Sequence, residues 1–263
     1  MLVSEGEHSM MKQAGQFAAG HYEARASAYV ESAVHSQGSD LDAIVKTVQG
    51  RGFGRVLDLG CGGGHVSYAV APHTGQVVAC DITPGMLTAV QDEASRRGLS
   101  NIEVRQASAE NLPFEGAAFD AVLCRFTAHH WDGFEAGLRE ARRVLKPCGL
   151  AVFVDVTAPE DAVSDSWLQA LELMRDISHV RDYSIGEWVS ALGRSGFSME
   201  GLTRSRLKMA FESWVARTQT PLERVEGIRS LQRGAPAVVK ERLGLEEDGS
   251  FLLDVTVFTA SRP

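Results

Sequence analysis

Arg55-Val56-Leu57-Asp58-Leu59-Gly60-Cys61-Gly62-Gly63-Gly64-His65 is the stretch whose reading decides the fold. Val56, Leu57 and Leu59 form a short apolar run that reads as a buried parallel strand. Glycines follow at once, and Val66, Tyr68, Ala69 and Val70 then recur at roughly helical spacing. A strand, a tight glycine turn and a helix bring a ligand against backbone N–H groups. Gly60 and Gly62 leave no Cβ where a ligand would approach, and Asp58 sits at the carboxyl end of the strand, where open parallel sheets bind ligands.

Working outward, Gln76-Val77-Val78-Ala79-Cys80-Asp81 reads as a second strand ending in an acid. Asp81 lies about 20 residues beyond the glycines, the distance at which a carboxylate reaches ribose hydroxyls. Together they point to a nucleoside-bearing cofactor. The dinucleotide fingerprint G-x-G-x-x-G needs a glycine where His65 stands, and Asp58 would repel a phosphate at close range. An acid there suits a cation, such as the amino group of S-adenosylmethionine.

Asp58-Leu59-Gly60-Cys61-Gly62-Gly63-Gly64 resembles motif I of the class I S-adenosylmethionine-dependent methyltransferases. The resemblance implies an α/β fold: a Rossmann-like seven-stranded mixed sheet with helices on both faces and a helical lid. Asp58, Gly60, Cys61 and Gly62 are expected at the methionine end of S-adenosylmethionine, Asp81 at the ribose, and Ile82 and Ser108–Glu110 at the adenine. Met86 and Arg125 are also expected against the cofactor. Ala107-Ser108-Ala109-Glu110-Asn111-Leu112-Pro113-Phe114 resembles the family's G-D-A-E-x-L-P-F stretch, with Ser108 where relatives carry an acid. A hydroxyl accepts a hydrogen bond more weakly than a carboxylate; Glu110 either touches the ligand or caps a turn.

Strand–helix alternation continues through Ile102–Gln106, Phe119–Cys124 and Gly149–Asp155, with helices at Gly85–Arg97 and Phe134–Leu145, the latter stopped by Lys146-Pro147. Beyond, Asp161–Asp176 and Ser184–Ser195 read as helices, the second opened by a Ser184/Glu187 capping box. Strands are expected at Ser198–Met209 and Phe251–Ala260, with broken helices between them. Near the N-terminus, Leu41, Ile44, Val45 and Val48 line one helical face, capped by Ser39 or Asp40. The organisation expected is an N-terminal helical lid over 1–50, a cofactor-binding core over 51–158, and over 159–263 the remainder of the same domain, with helical substrate-cover insertions and the last antiparallel strands.

Two polar stretches carry the acceptor chemistry. Cys124-Arg125-Phe126-Thr127-Ala128-His129-His130-Trp131 follows the fourth strand, at the carboxyl edge of the sheet. Histidine titrates near neutral pH, so His129 and His130 are candidate bases, or they support the loop and cofactor. Arg175-Asp176-Ile177-Ser178-His179-Val180-Arg181-Asp182-Tyr183 is too polar for core. There Arg175, Asp176 and Arg181 are candidate substrate contacts, His179 an alternative base, and a salt-bridged hinge the alternative reading. Both stretches resemble a bacterial subgroup with C-R-[FY]-x-A-H-H and R-D-x-S-H-V-R motifs, related to ubiquinone/menaquinone-biosynthesis methyltransferases. The resemblance implies methyl transfer to a small-molecule acceptor. It also places Tyr29 and His35, on the preceding helices, as lid contacts to the cofactor. Arg217, Thr218, Thr220 and Pro221 would close the pocket or form a dimer contact.

Composition narrows the alternatives. The 263 residues carry a net charge of −8, which argues against a nucleic-acid binder. No apolar run approaches the ~18 residues of a membrane span. Cys61, Cys80, Cys124 and Cys148 make no C-x-x-C spacing, so reduced thiols in a cytoplasmic protein, monomer or homodimer, are expected. No metal is expected: adjacent histidines do not easily converge with Asp132 on one ion. A non-catalytic cofactor-binding protein and an NAD-dependent oxidoreductase are the competing readings; turnover and the identity of the bound nucleotide separate them.

Overall fold

The computed structural model describes residues 38–263. Five parallel strands come from the strand–helix alternation: β1 (Arg55–Leu59), β2 (Gln76–Asp81), β3 (Ile102–Gln106), β4 (Phe119–Arg125) and β5 (Leu145–Val156). Two further strands, β6 (Ser198–Met209) and β7 (Phe251–Ser261), complete the sheet in the order β3-β2-β1-β4-β5-β7-β6. β7 runs antiparallel to both of its neighbours. The seven-stranded mixed sheet expected from the sequence is therefore present. Strand order reverses between β1 and β4, and Asp58 pairs with Leu123 there. That switch point opens a crevice at the carboxyl ends of the strands.

Alternating side chains of the strands feed two cores. On one face Leu57, Val78, Val122, Phe153 and Phe258 meet helix α4 (Phe134–Val144) and helix α6 (Ile185–Arg194) through Leu138 and Trp188. On the other, Val56, Val77, Leu123 and Val154 meet α1 (Ser39–Val48) and α2 (His65–Val70) through Ile44, Val48 and Val66. Helix α3 (Pro84–Arg96) covers β2 and β3. A third apolar cluster lies between the ends of β5 and β7 and the helices α5 (Ala162–Arg175), α7 (Phe211–Arg217), α8 (Leu222–Gly234) and α9 (Ala237–Leu243), centred on Trp214, Leu171 and Phe251. No helix among the described residues is long and apolar enough to cross a membrane.

The capping box of α6 is present, with Ser184 and Glu187 each accepting from the other's backbone N–H. Two boundaries differ from expectation. Lys146-Pro147 does not precede the strand but lies within it: Leu145 already pairs with Phe119, and the register slips before Ala121 meets Leu150. Pro147, which has no N–H to give, sits in that irregular stretch, and Cys148 takes a φ of 59°. Neither Ser39 nor Asp40 caps α1, whose N-cap is Gly38 without a side-chain bond. Asp40 instead pairs with the guanidinium of Arg125 on β4, because a buried cation is the stronger partner. Tyr29 and His35 lie outside the described residues.

Candidate active site

The glycine turn is held from two sides. The N–H groups of Gly60 and Cys61 both donate to Cys80 O on β2, at 2.8 and 2.9 Å. Gly62 N donates to Asp81 Oδ2 at 2.9 Å, and Thr83 N to Oδ1 at 2.9 Å. Asp81 thus ties the turn to the end of β2 while remaining partly exposed. The two glycines differ in purpose. A Cβ on Gly62 (φ 47°) would meet nothing within 4 Å, so the turn faces open space there. A Cβ on Gly60 (φ 70°) would overlap the side chain of Thr127. The absence of a Cβ at Gly60 therefore makes room for the β4 loop.

Asp58 is 1% exposed, and Oδ2 accepts from Ser67 N at 3.0 Å and Ser67 Oγ at 2.6 Å. Burial pushes its carboxyl up to about 6 against those two bonds, Asp81 adding to the rise and Arg125 opposing it. Burial likewise raises Asp81, against the backbone N–H groups of Thr83 and Gly62. Because the folded Asp58 holds its proton more tightly than an unfolded one, its contribution to stability is present at low pH and is lost as pH rises through about 6. A cationic ligand reverses the preference. Affinity for an amino-bearing cofactor is expected to fall as pH drops below about 6, where binding would release the proton held by Asp58, in calorimetry across pH 5–8. An affinity flat through that window would remove Asp58 from the ligand's cationic end.

Past β3, Ser108 Oγ and the Glu110 carboxylate bond each other, and Glu110 Oε1 also accepts from Gly133 N at 3.3 Å. Glu110 therefore braces the turn onto the start of α4. Gln106 Nε2 donates to Ile82 O at 3.0 Å, joining the two edges of the same crevice. Ala109, Cys61 and Met86 are buried.

The histidines sit in a buried polar cluster between the β4 loop, the end of β5 and the 176–184 segment. His129 Nδ1 meets Asp155 Oδ1 at 2.6 Å, while His129 O accepts from Val180 N and Arg181 N at 2.9 and 3.1 Å. Burial works to push His129 down, but the charge and hydrogen bond of Asp155 outweigh it and hold the ring at about 9. His130, its ring centroid 4.1 Å from that of His129, donates from Nδ1 to Ser178 O at 3.0 Å. Burial and then the charge of His129 push it down to about 4. His179 Nε2 donates to Gln169 Oε1 at 3.0 Å, so this ring is tied to α5, and burial again lowers it.

The expected substrate contacts all have protein partners. Arg175 reaches Glu172 at 3.3 Å and Trp214 O at 3.1 Å. Arg181 reaches Asp165 at 3.0 Å and Glu187 at 3.3 Å. Asp176 accepts from Ser178 N and Oγ at 2.9 and 2.6 Å. Arg125 is buried against Asp40. Thr220 Oγ1 donates to Arg175 O at 3.0 Å, fastening the end of α5 to the loop after α7. Asp155, at the end of the fifth strand, and Asp182, inside the polar stretch, carry no role in the sequence alone, and Gln169 gives no signal there; in the fold all three organise the histidines. The one available signal for Asp155 was its place at the end of a parallel strand.

A seven-stranded sheet with an antiparallel last strand and a glycine turn braced by Asp81 defines the class I methyltransferase fold. The model for the methyltransferase domain matches residues 57–153. The chain is 40% identical to the Escherichia coli (strain K12) protein YafE over 199 residues, covering 76% of this chain and 96% of that one. It is 35% identical to the Bacillus subtilis (strain 168) uncharacterized methyltransferase YcgJ over 200 residues, covering 76% of this chain and 79% of that one. The chain belongs to this methyltransferase family. The crystal structure of YcgJ superposes with a TM-score of 0.82 at 32% identity, covering 85% of this chain and 97% of that one. Geranyl diphosphate methyltransferase, solved in complex with SAM, shares the fold at a TM-score of 0.62 and 17% identity, covering 86% and 85%.

Proposed function

We propose that this methyltransferase takes S-adenosylmethionine as methyl donor and a small molecule as acceptor. The observation that carries the reading is the pair of acids at the glycine turn. Buried Asp58 faces a cation more readily than a phosphate, and half-exposed Asp81 presents carboxylate oxygens beside the Gly62 N–H. The open space over Gly62 fits a ligand lying against the turn. Asp58, Gly60, Cys61 and Gly62 would hold the methionine end, Asp81 the ribose, and Ile82, Met86 and the Ser108–Glu110 turn the adenine.

When bound, the cofactor supplies an electrophilic methyl group on a sulfonium, and the protein's part is to align and desolvate the reactants. The acceptor would enter at the carboxyl edge beside the β4 loop. There His130 is the base we assign: its Nδ1 donates to a carbonyl, so the neutral ring carries its lone pair on Nε2. His129, held by Asp155, orients the loop, and His179 anchors the cap to Gln169. Arg175, Asp176 and Arg181 would shape the cap by the ion pairs and turns they make. A cytoplasmic location and a monomer or homodimer belong to the same proposal.

Calorimetric titration with S-adenosylmethionine, S-adenosylhomocysteine and NAD in parallel tests it. Binding of the first two and not NAD is expected, and NAD alone would sink the reading. Asp81→Ala is expected to weaken S-adenosylhomocysteine binding by roughly 1–3 kcal/mol, the scale of hydrogen bonds to a charged group. An unchanged affinity removes Asp81 from the ribose. His130→Ala should bind the cofactor normally and lose turnover with any acceptor that a screen recovers; retained turnover dismisses it as the base.

A further inference from the structure

Three side chains from different parts of the chain converge where the cap closes on the sheet. His129 comes from the turn after β4, Asp155 from the end of β5, and Asp182 from the segment leading into α6. One ligand atom from each lies within 4.8 Å of the others. The side chains are 16%, 2% and 2% exposed. Among the described residues, Asp182 Oδ2 has no hydrogen-bond partner. His179 Nε2 is 4.0 Å from it and donates to Gln169 instead. The other buried acids nearby are engaged: Glu172 pairs with Arg175, and Asp176 accepts from Ser178. A buried carboxylate oxygen with no donor is costly, and native interiors seldom keep one without a cation or a water.

We propose that His129, Asp155 and Asp182 form a site for a divalent transition-metal ion. The donor set gives the ion's chemistry. One imidazole and two carboxylates suit Zn²⁺, Mn²⁺, Co²⁺ or Fe²⁺, whereas Ca²⁺ and Mg²⁺ favour all-oxygen shells. Two carboxylates balance the charge of the ion, and the imidazole binds as the neutral ring, releasing its proton as the metal enters. Metal–ligand distances of about 2.0–2.2 Å put neighbouring donor atoms roughly 3 Å apart. The 2.6 Å His129–Asp155 contact therefore opens slightly, and Asp182 moves inward. Three protein ligands leave at least one position open. For the methyl transfer proposed above, on which this part rests, the open position takes an acceptor oxygen. A phenol, enol or hydroxy acid would bind there, its oxygen acidified by the metal beside His130.

The full chain, dialysed against chelator, is titrated with Zn²⁺ and Mn²⁺ by calorimetry and with Co²⁺ by visible absorption. One ion per chain is expected, with a ligand-field spectrum for Co²⁺. Asp182→Asn keeps the shape of the side chain and is expected to weaken binding at least tenfold, on the scale of losing a ligand contact. His129→Gln should do the same, and Asp132→Asn, outside the cluster, should not. Failure of all three ions to bind, or binding unaffected by Asp182→Asn in a variant with wild-type circular dichroism, overturns the proposal. S-adenosylhomocysteine titrated into the same preparation keeps the two readings apart. Cofactor binding without metal removes only this site, and metal binding without cofactor removes only the methyl-donor reading.

Discussion

Trp188→Ala is expected to destabilise the protein by roughly 3–5 kcal/mol, the range for deleting a large buried aromatic side chain. Trp188 is 1% exposed and carries α6 onto the sheet. Its ring stacks on Phe258 at 5.0 Å, meets Phe134 edge-on at 4.6 Å and lies 5.8 Å from Phe153. One side chain thus joins α4, α6, β5 and β7. Urea unfolding should show a lower midpoint with an unchanged slope. Trp188→Phe should cost much less, because it keeps a ring in the stack. It also removes an indole N–H that donates to no described residue. If the two variants were equally unstable, the aromatic stack would not be what holds α6. Since α6 follows directly on the cap segment of His179 and Asp182, looseness there should reach the acceptor end first.

Gly60→Ala is the second large effect. A left-handed backbone costs a residue with a Cβ roughly 1–2 kcal/mol, and overpacking against Thr127 adds roughly 1–3 kcal/mol. Thr127 is also the residue on which the Ala128–His130 turn is built, its carbonyl accepting from His130 N at 3.0 Å. Relief of the overlap by moving Thr127 would shift both histidines. The variant should therefore lose stability and cofactor affinity together. Combining it with Thr127→Gly should recover the overlap part but not the backbone part, giving a coupling of about 1–3 kcal/mol in a double-mutant cycle. Strictly additive effects would mean that Gly60 and Thr127 do not meet.

The glycine-turn half of the candidate site is legible in the sequence because it is local. A five-residue strand, a glycine turn, a helix and a second strand ending in Asp81 lie within one βαβ unit, with Gly62 and Asp81 separated by 19 positions. Apolar periodicity reports which face of each element is buried, and the alternation of strands with helices leaves little freedom in how a parallel sheet is wound. The Ser184/Glu187 capping box was readable for the same reason, since donor and acceptor are three residues apart. The start of β5 was misplaced because proline was read as a breaker. Its missing N–H costs nothing at the point where the register slips.

The histidine cluster depends on tertiary structure. Histidines in a polar loop give no sign of which ring is held by Asp155, 26 positions on, and which by Ser178. The choice leaves one imidazole high and its neighbour low. Asp40 looked like a helix cap until the fold set it against Arg125, 85 positions away. At Gly60 only the fold shows that the space a Cβ would need belongs to Thr127. Sequence by itself determined the sheet, its winding and the two acids beside the glycine turn, because each follows from periodicity or short-range hydrogen bonding. Only the tertiary structure decided which polar groups meet at the carboxyl edge. Those partners come from loops whose spacing is governed by strand order, and a charge changes its chemistry with the burial and neighbours it finds there.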